Sequence, residues 1–215
     1  MKNNCQLYLI TPPQIDDAAG YLEALKAALD EGDIACLQLR LKSIDGASAP
    51  DDEILKLAEA ILPITNTADV ALLINDRPDL ALKVGADGAH IGQTDSSYDD
   101  ARALLGDDAS IGVTCHNSRH LGLVAGEAGA DYVAFGAFFP TQTKAASTVA
   151  EPDLLEWWSH ATTVPSVAIG GITPANCRPL VSAGADFLAV SSAVWSHPDG
   201  PGAAVKAFTQ AIQTA

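Results

Sequence analysis

Positive charge is scarce in this chain. Lys and Arg total 12 against 27 Asp and Glu, a formal net charge of −15 over 215 residues. Phosphate backbones are bound through basic surfaces, so nucleic acid is excluded as the main partner. An anionic membrane surface is excluded on the same ground. Charge of either sign is also low, at 18% against the roughly 25% usual in globular domains. Together with 48% hydrophobic residues, that balance is the reverse of a disordered chain. Long hydrophobic runs are missing. The segment 132–139 is among the longest, far short of the roughly 18–20 residues of a spanning helix. The N-terminus has no signal-peptide cleavage pattern and runs straight into a strand-like segment. Cysteine is sparse: Cys5, Cys36, Cys115 and Cys177 lie far apart with no Cys-x-x-Cys. Four reduced thiols in a cytoplasmic protein is the expectation. No G-x-G-x-x-G follows the first strand and no P-loop is present, which removes support for dinucleotide binding and for P-loop chemistry. Low-complexity segments and interdomain linkers are absent too.

What the chain does have is repetition. Short apolar runs at 6–10, 36–40, 71–75, 88–91, 110–113, 132–136, 166–169 and 187–191 alternate with amphipathic stretches at 18–31, 52–64, 78–84, 98–105, 118–128, 152–161, 174–183 and 202–212. Most of the apolar runs are continuous, as in strands buried on both faces of a parallel sheet. Pro152 and Pro174 sit near helix starts, where a missing N–H costs least. The triplets Gly85-Ala86-Asp87, Gly129-Ala130-Asp131 and Gly184-Ala185-Asp186 each precede a strand, with Gly32-Asp33 a degenerate fourth copy. Each triplet glycine falls where a left-handed helix cap is expected. Their carboxylates are expected to be loop structure at the rim opposite the chemistry. The pattern predicts an α/β fold, a (β/α)8 TIM barrel with parallel strands and a single domain over 1–215. An open doubly wound sheet is the competing architecture.

Barrel chemistry belongs at the C-terminal ends of strands. Strand two ends in Gln38-Leu39-Arg40-Leu41-Lys42, and alternation puts Gln38, Arg40 and Lys42 on one side. Two cations and an amide there suit a phosphorylated ligand. Asn75-Asp76-Arg77 and Gln93-Thr94-Asp95 end strands three and four. Two carboxylates near phosphate are a common way to hold Mg²⁺, although Asp76 or Asp95 could instead cap a helix. Strand five leads into Thr114-Cys115-His116, where a catalytic thiol lacks a convincing base and His116 either orients a ligand or caps a helix. Thr141, Thr143 and Lys144 follow strand six, Gly170-Gly171 follow strand seven, and Val190-Ser191-Ser192 end strand eight. Hydroxyls and close-approaching backbone suit a phosphate at the last two loops. Arg40, Lys42, Arg77 and Lys144 would make a basic mouth on an acidic body, focusing anionic substrates. Trp157-Trp158 reads as outer-layer packing, with a homo-oligomer contact as the alternative.

The ordered set Gln38-x-Arg40-x-Lys42, Ile74-Asn75-Asp76-Arg77, His90-Ile91-Gly92-Gln93-x-Asp95, Gly112-Val113-Thr114, Pro140-Thr141-x-Thr143-Lys144, Ile169-Gly170-Gly171-Ile172 and Val190-Ser191 resembles the thiamine phosphate synthase family over nearly the whole chain. The resemblance implies a Mg²⁺-dependent transferase of thiamine biosynthesis. It would join hydroxymethylpyrimidine diphosphate to a thiazole phosphate (carboxythiazole phosphate) and release diphosphate. By resemblance, Gln38, Arg40, Lys42, Asn75 and Lys144 would hold the pyrimidine diphosphate. Asp76 and Asp95 would bind Mg²⁺. Thr141, Thr143, Gly171, Val190 and Ser191 would receive the thiazole phosphate. Thr114 stands where the family usually has Ser, and with Arg40, Lys42 and Lys144 completes the expected catalytic set. Partners would then be small phosphorylated molecules, with no nucleic acid and no membrane. Leu41 replaces a usual acidic residue, Ala137 a usual Pro, and 145–151 lacks the usual glycine. Leu41 and the altered 145–151 segment motivate a non-catalytic thiazole phosphate-binding barrel as one alternative. A thiazole tautomerase-like isomerase is the other, in which His116 would serve as the acid–base group.

Overall fold

The computed structural model describes residues 5–43, 46–141 and 148–215. Eight parallel strands close into a barrel in sequence order: β1 (Gln6–Ile10), β2 (Ile34–Leu39), β3 (Ala71–Asn75), β4 (Gly88–Ile91), β5 (Ser110–His116), β6 (Tyr132–Gly136), β7 (Ser166–Ile169) and β8 (Phe187–Val190). Closure is made by β1 pairing with β8, Leu9 opposite Val190. The open doubly wound alternative is thereby excluded. The surrounding helices are α1 (Ala18–Leu29), α2 (Asp51–Thr67), α3 (Pro78–Val84), α4 (Tyr98–Leu105), α5 (Arg119–Ala128), α6 (Pro152–Ala161), α7 (Arg178–Ser182), α8 (Ser192–Trp195) and α9 (Pro201–Gln213).

The continuous apolar strands have the expected cause. Leu7, Leu9, Leu37, Leu39 and Leu72 point outward into the layer beneath the helices. The alternate residues Tyr8, Ile10, Cys36, Leu73, Tyr132, Ala134, Val167 and Ala189 form a separate cluster in the barrel. Both faces of each strand are therefore dry. Trp158 is fully buried between barrel and α6, edge-on to Phe135 at 5.1 Å, with its indole N–H donated to the Val164 carbonyl at 2.7 Å. For Trp158 that is packing, as expected, and Trp157 beside it is only partly buried, with the Arg119 guanidinium 4.7 Å over its ring.

The repeated Gly-Ala-Asp triplets are structural. Gly85, Gly129 and Gly184 have φ of 72°, 100° and 92°, the left-handed region that ends a helix without a Cβ penalty. Each following carboxylate then accepts a backbone N–H at the start of the preceding strand. Asp87 accepts from Leu72 at 2.7 Å, Asp131 from Ile111 at 2.7 Å, and Asp186 from Ser166 at 2.8 Å. Asp33 accepts instead from the Gln6 side chain at 2.6 Å. The same bond thus recurs at alternate strand gaps, at the end of the barrel away from the polar strand ends.

Several boundaries differ from the sequence expectation. β5 continues through Thr114 to His116, with a register shift at Cys115 that keeps both flanking residues paired to β6. Segment 174–183 is helical only from Arg178. Pro174 lies in a turn that Asn176 holds, its Oδ1 accepting from the Thr173 N–H at 2.7 Å and its Nδ2 donating to the Gly171 carbonyl at 3.0 Å. Such a local side-chain bond competes with helix. The short α8 has no sequence signature, because Ser192–Trp195 has too few residues to show a period.

Candidate active site

The polar strand ends meet at one rim. Leu39 and Leu41, 1% and 4% exposed, turn into the core beneath the helices. Alternation therefore aims Gln38, Arg40 and Lys42 the other way. The Leu41 departure from the family pattern is a core residue and does not reach this face. Gln38, 3% exposed, donates its amide to Asn75 Oδ1 at 2.8 Å. That single bond locks the amides of β2 and β3 together. Lys42 Nζ lies 2.9 Å from Asp76 Oδ2, both side chains partly buried. The Arg40 backbone N–H donates to Thr11 Oγ1 at 2.9 Å. Burial pushes the Arg40 guanidinium below its ordinary value, with Asp76 opposing the shift.

Asp76 and Asp95 come together at this rim, close enough for each carboxyl to shift the other's proton affinity. Neither caps a helix. Asp76 has φ of 61° and precedes Arg77, which starts α3 without a side-chain cap. Ser97 caps α4, and Asp95 Oδ2 instead accepts the Gly92 N–H at 2.8 Å. The pair is electrostatically unequal. Burial works to raise Asp76, but the hydrogen-bonded Lys42 ammonium and the neighbouring Asp95 carboxyl outweigh it and hold Asp76 below its usual range. Asp95 is held above, by burial and by facing Asp76. Two adjacent carboxylates that resist joint ionisation are what a hard divalent cation relieves. Two adjacent carboxylates are a hard-oxygen donor set that fits a divalent cation such as Mg²⁺, which Asp76 and Asp95 would hold. Among the described residues no group of three or more His, Cys, Asp or Glu gathers, so this site is not an all-protein cage.

Thr114 stands beside this cluster. Its hydroxyl is 2.8 Å from His90 Nε2, and its carbonyl accepts the Gln93 amide at 2.6 Å. On the other side of the mouth the Ser191 hydroxyl donates to the Thr11 carbonyl at 3.2 Å. Gly171, with φ of 61°, runs so close to the strand-six loop that a Cβ would meet the Pro140 carbonyl at 2.3 Å. Thr141 follows that proline. Val190 closes β8 beside Leu9. Thr143 and Lys144 lie outside the described residues. On either side of them in the chain, Ala137 N–H donates to Thr148 O at 3.1 Å, and Ala150 N–H to Ala137 O at 2.9 Å. Ala137 thus supplies a donor that a proline at that position would lack.

Two readings need correction, those of Arg77 and His116, and the doubt about a Cys115 nucleophile is upheld. Arg77 does not add free charge to the mouth, because Asp51 and Asp79 hold its guanidinium in paired contacts. His116 does not cap the next helix, since Ser118 Oγ accepts the Leu121 N–H at 3.2 Å in that role. Cys115 is fully buried and its thiol is pushed up to about 12 by burial, which removes it as a nucleophile. Two features were missed. Thr11, fully buried at the end of β1, ties Arg40 to Ser191 and so couples the two halves of the rim. Tyr8 and Tyr132 look like core residues in apolar strands, yet their hydroxyls join His90 in a polar chain under the site. No sequence signal marks them: only the strand register, which makes His90, Gly112 and Tyr132 direct partners across three strands, brings these groups together.

A family model described as thiamine monophosphate synthase matches residues 7–194. The chain belongs to the thiamine monophosphate synthase family. A thiamine-phosphate synthase from Rhodospirillum centenum is 56% identical over 98% of this chain and 99% of its own. One from Hyphomonas neptunium is 53% identical over 97% of this chain and 94% of its own. The solved thiamine phosphate pyrophosphorylase of Pyrococcus furiosus superposes with a TM-score of 0.84 at 29% identity, covering 99% of this chain and 97% of that one. Several other phosphate-handling barrels share the fold alone, among them a geranylgeranylglyceryl phosphate synthase from Thermoplasma acidophilum with a TM-score of 0.71 at 14% identity. Among the described residues no helix is long and apolar enough to cross a membrane.

Proposed function

We propose that this family member is a thiamine phosphate synthase that condenses hydroxymethylpyrimidine diphosphate with thiazole phosphate. The observation that carries the reading is the Lys42–Asp76–Asp95 cluster beside Arg40 and the Gln38–Asn75 pair, on one rim of the barrel. Gln38 and Asn75 orient the pyrimidine through amides already bonded to each other. Arg40, Lys42 and Lys144 neutralise the diphosphate. Asp76 and Asp95 hold Mg²⁺, which when bound stabilises the charge that builds on the leaving diphosphate. Departure of diphosphate breaks the methylene carbon–oxygen bond and leaves a pyrimidine methyl cation, and the thiazole nitrogen supplies the electron pair of the new bond. No protein nucleophile is needed. Catalysis is positioning and electrostatic stabilisation. Thr141, Thr143, Gly171, Val190 and Ser191 take the thiazole phosphate, and Thr11 sets the spacing between the two halves of the rim.

The buried, unpaired thiols of Cys5, Cys36, Cys115 and Cys177 support a cytoplasmic location. The isomerase alternative is disfavoured by the same cluster, since moving a double bond in thiazole phosphate needs neither a leaving-group cation nor a paired-carboxylate metal site. The discriminating experiment offers the protein thiazole phosphate with and without the pyrimidine diphosphate, in Mg²⁺. Product that appears only with both substrates supports the synthase, and conversion of the thiazole alone supports the isomerase.

A further inference from the structure

Beneath the rim, inside the barrel, four side chains form one continuous hydrogen-bonded chain. Tyr8 Oη is 2.9 Å from Tyr132 Oη, Tyr132 Oη is 3.0 Å from His90 Nδ1, and His90 Nε2 is 2.8 Å from Thr114 Oγ1. Gly112 makes this possible. It lies between His90 and Tyr132 in register, and a Cβ there would strike the Tyr132 ring at 1.8 Å. Without it the two rings stack at 5.6 Å.

The direction of the chain follows from its buried end. Tyr8 is 3% exposed, and among the described residues its hydroxyl has no hydrogen-bond partner except Tyr132. A buried donor with no acceptor is expensive, whereas an acceptor lone pair left unused costs less. Tyr8 must therefore donate to Tyr132. Tyr132 then has its own proton for His90 Nδ1, which accepts. His90 must carry its proton on Nε2 and donate it to Thr114 Oγ1. Thr114 Oγ1 is thus already accepting, and its own proton is directed to another acceptor. The opposite tautomer or a doubly protonated imidazole would make Nδ1 a donor and turn Tyr132 toward Tyr8, stranding the Tyr8 proton. Burial also keeps both phenols in their protonated form.

We infer that Tyr132, backed by Tyr8, is a positioning residue that holds His90 as the Nε2–H tautomer and so presets Thr114 as a hydrogen-bond donor to an acceptor on the bound heterocycle, a ring nitrogen of the pyrimidine. The last clause rests on the proposed function, and the tautomer assignment does not. Long-range ¹H–¹⁵N correlation on the full chain reads the tautomer directly, with His90 assigned by its loss in His90→Gln. The expected wild-type pattern is a protonated Nε2 and a bare Nδ1, retained in Tyr8→Phe and converted to a tautomer mixture in Tyr132→Phe. Calorimetric titration of Tyr132→Phe with pyrimidine diphosphate should show binding weakened about fivefold to tenfold, the equivalent of one neutral hydrogen bond, with thiazole phosphate binding unmoved. The Tyr8→Phe/Tyr132→Phe double variant removes the stranded Tyr8 hydroxyl and should keep the defect. An Nδ1–H or doubly protonated His90 in the wild type, or full recovery in the double variant, overturns the inference. A chain with the expected tautomer that makes no thiamine phosphate would count against the functional reading alone.

Discussion

Lys42→Ala is the substitution whose consequences separate most cleanly. Lys42 Nζ sits 2.9 Å from Asp76 Oδ2 with the two side chains 16% and 23% exposed. In the proposed mechanism the ammonium neutralises departing diphosphate, so its loss should lower kcat by about 10²–10³, or roughly 3–4 kcal/mol. The same change frees Asp76 from its only ion-pair partner among the described residues. The carboxylate is then more available to a cation, so the Mg²⁺ concentration giving half-maximal rate should stay level or fall. Folding stability should drop by only about 1 kcal/mol, because the pair is partly solvated. Asp76→Asn is the contrasting case: its half-maximal Mg²⁺ should rise at least tenfold, about 1.4 kcal/mol of lost metal binding. The assay is initial-rate kinetics over a Mg²⁺ titration at saturating substrates, with a urea melt of each variant. Lys42→Ala with an unchanged kcat and a raised Mg²⁺ requirement would refute the reasoning, since Lys42 would then be organising the metal carboxylates and not the leaving group.

Other perturbations have equally definite outcomes. Asp186→Ala leaves the fully buried Ser166 without an acceptor for its N–H and its hydroxyl, so a urea melt should show a loss of about 1–3 kcal/mol while kcat stays at the wild-type value. Gly171→Ala places a side chain at φ 61° with its Cβ 2.3 Å from the Pro140 carbonyl. The strand-six loop must shift, and KM for the thiazole phosphate should rise with little change in KM for the pyrimidine diphosphate. Burial pushes Cys5 and Cys115 up to about 12, and all four thiols are buried. Iodoacetamide at pH 8 should therefore label none of them in the native protein and all four after unfolding, as read by mass spectrometry.

The barrel was legible because two periods agree. Continuous apolar strands such as Ala71–Asn75 and Tyr132–Gly136 alternate with amphipathic helices at short, even spacing, and the Gly-Ala-Asp triplets mark the helix ends. Rim residues were legible where polar side chains interrupt an apolar strand end, as in Gln38-Leu39-Arg40-Leu41-Lys42. What escaped was everything decided by contact across strands. Arg77 reads as a mouth cation, and only the fold brings Asp51 of α2 to neutralise it. Thr11 carries no motif, yet it bridges β2 and the end of β8. Tyr8 and Tyr132 lie 124 positions apart and look apolar until closure of the barrel joins their hydroxyls. Leu41 shows the converse: a departure from the family pattern on paper that the strand's alternation buries in the core.

The central claim is that this rim condenses two phosphorylated substrates with a divalent cation held by Asp76 and Asp95. Its most direct test is to incubate the purified chain with hydroxymethylpyrimidine diphosphate, thiazole phosphate and Mg²⁺, and to measure thiamine phosphate and diphosphate together. Equimolar appearance of both, abolished by chelation and by Asp76→Ala in a protein that remains folded, is the predicted result. Absence of product from folded wild-type protein, or undiminished turnover in Asp76→Ala, would contradict it.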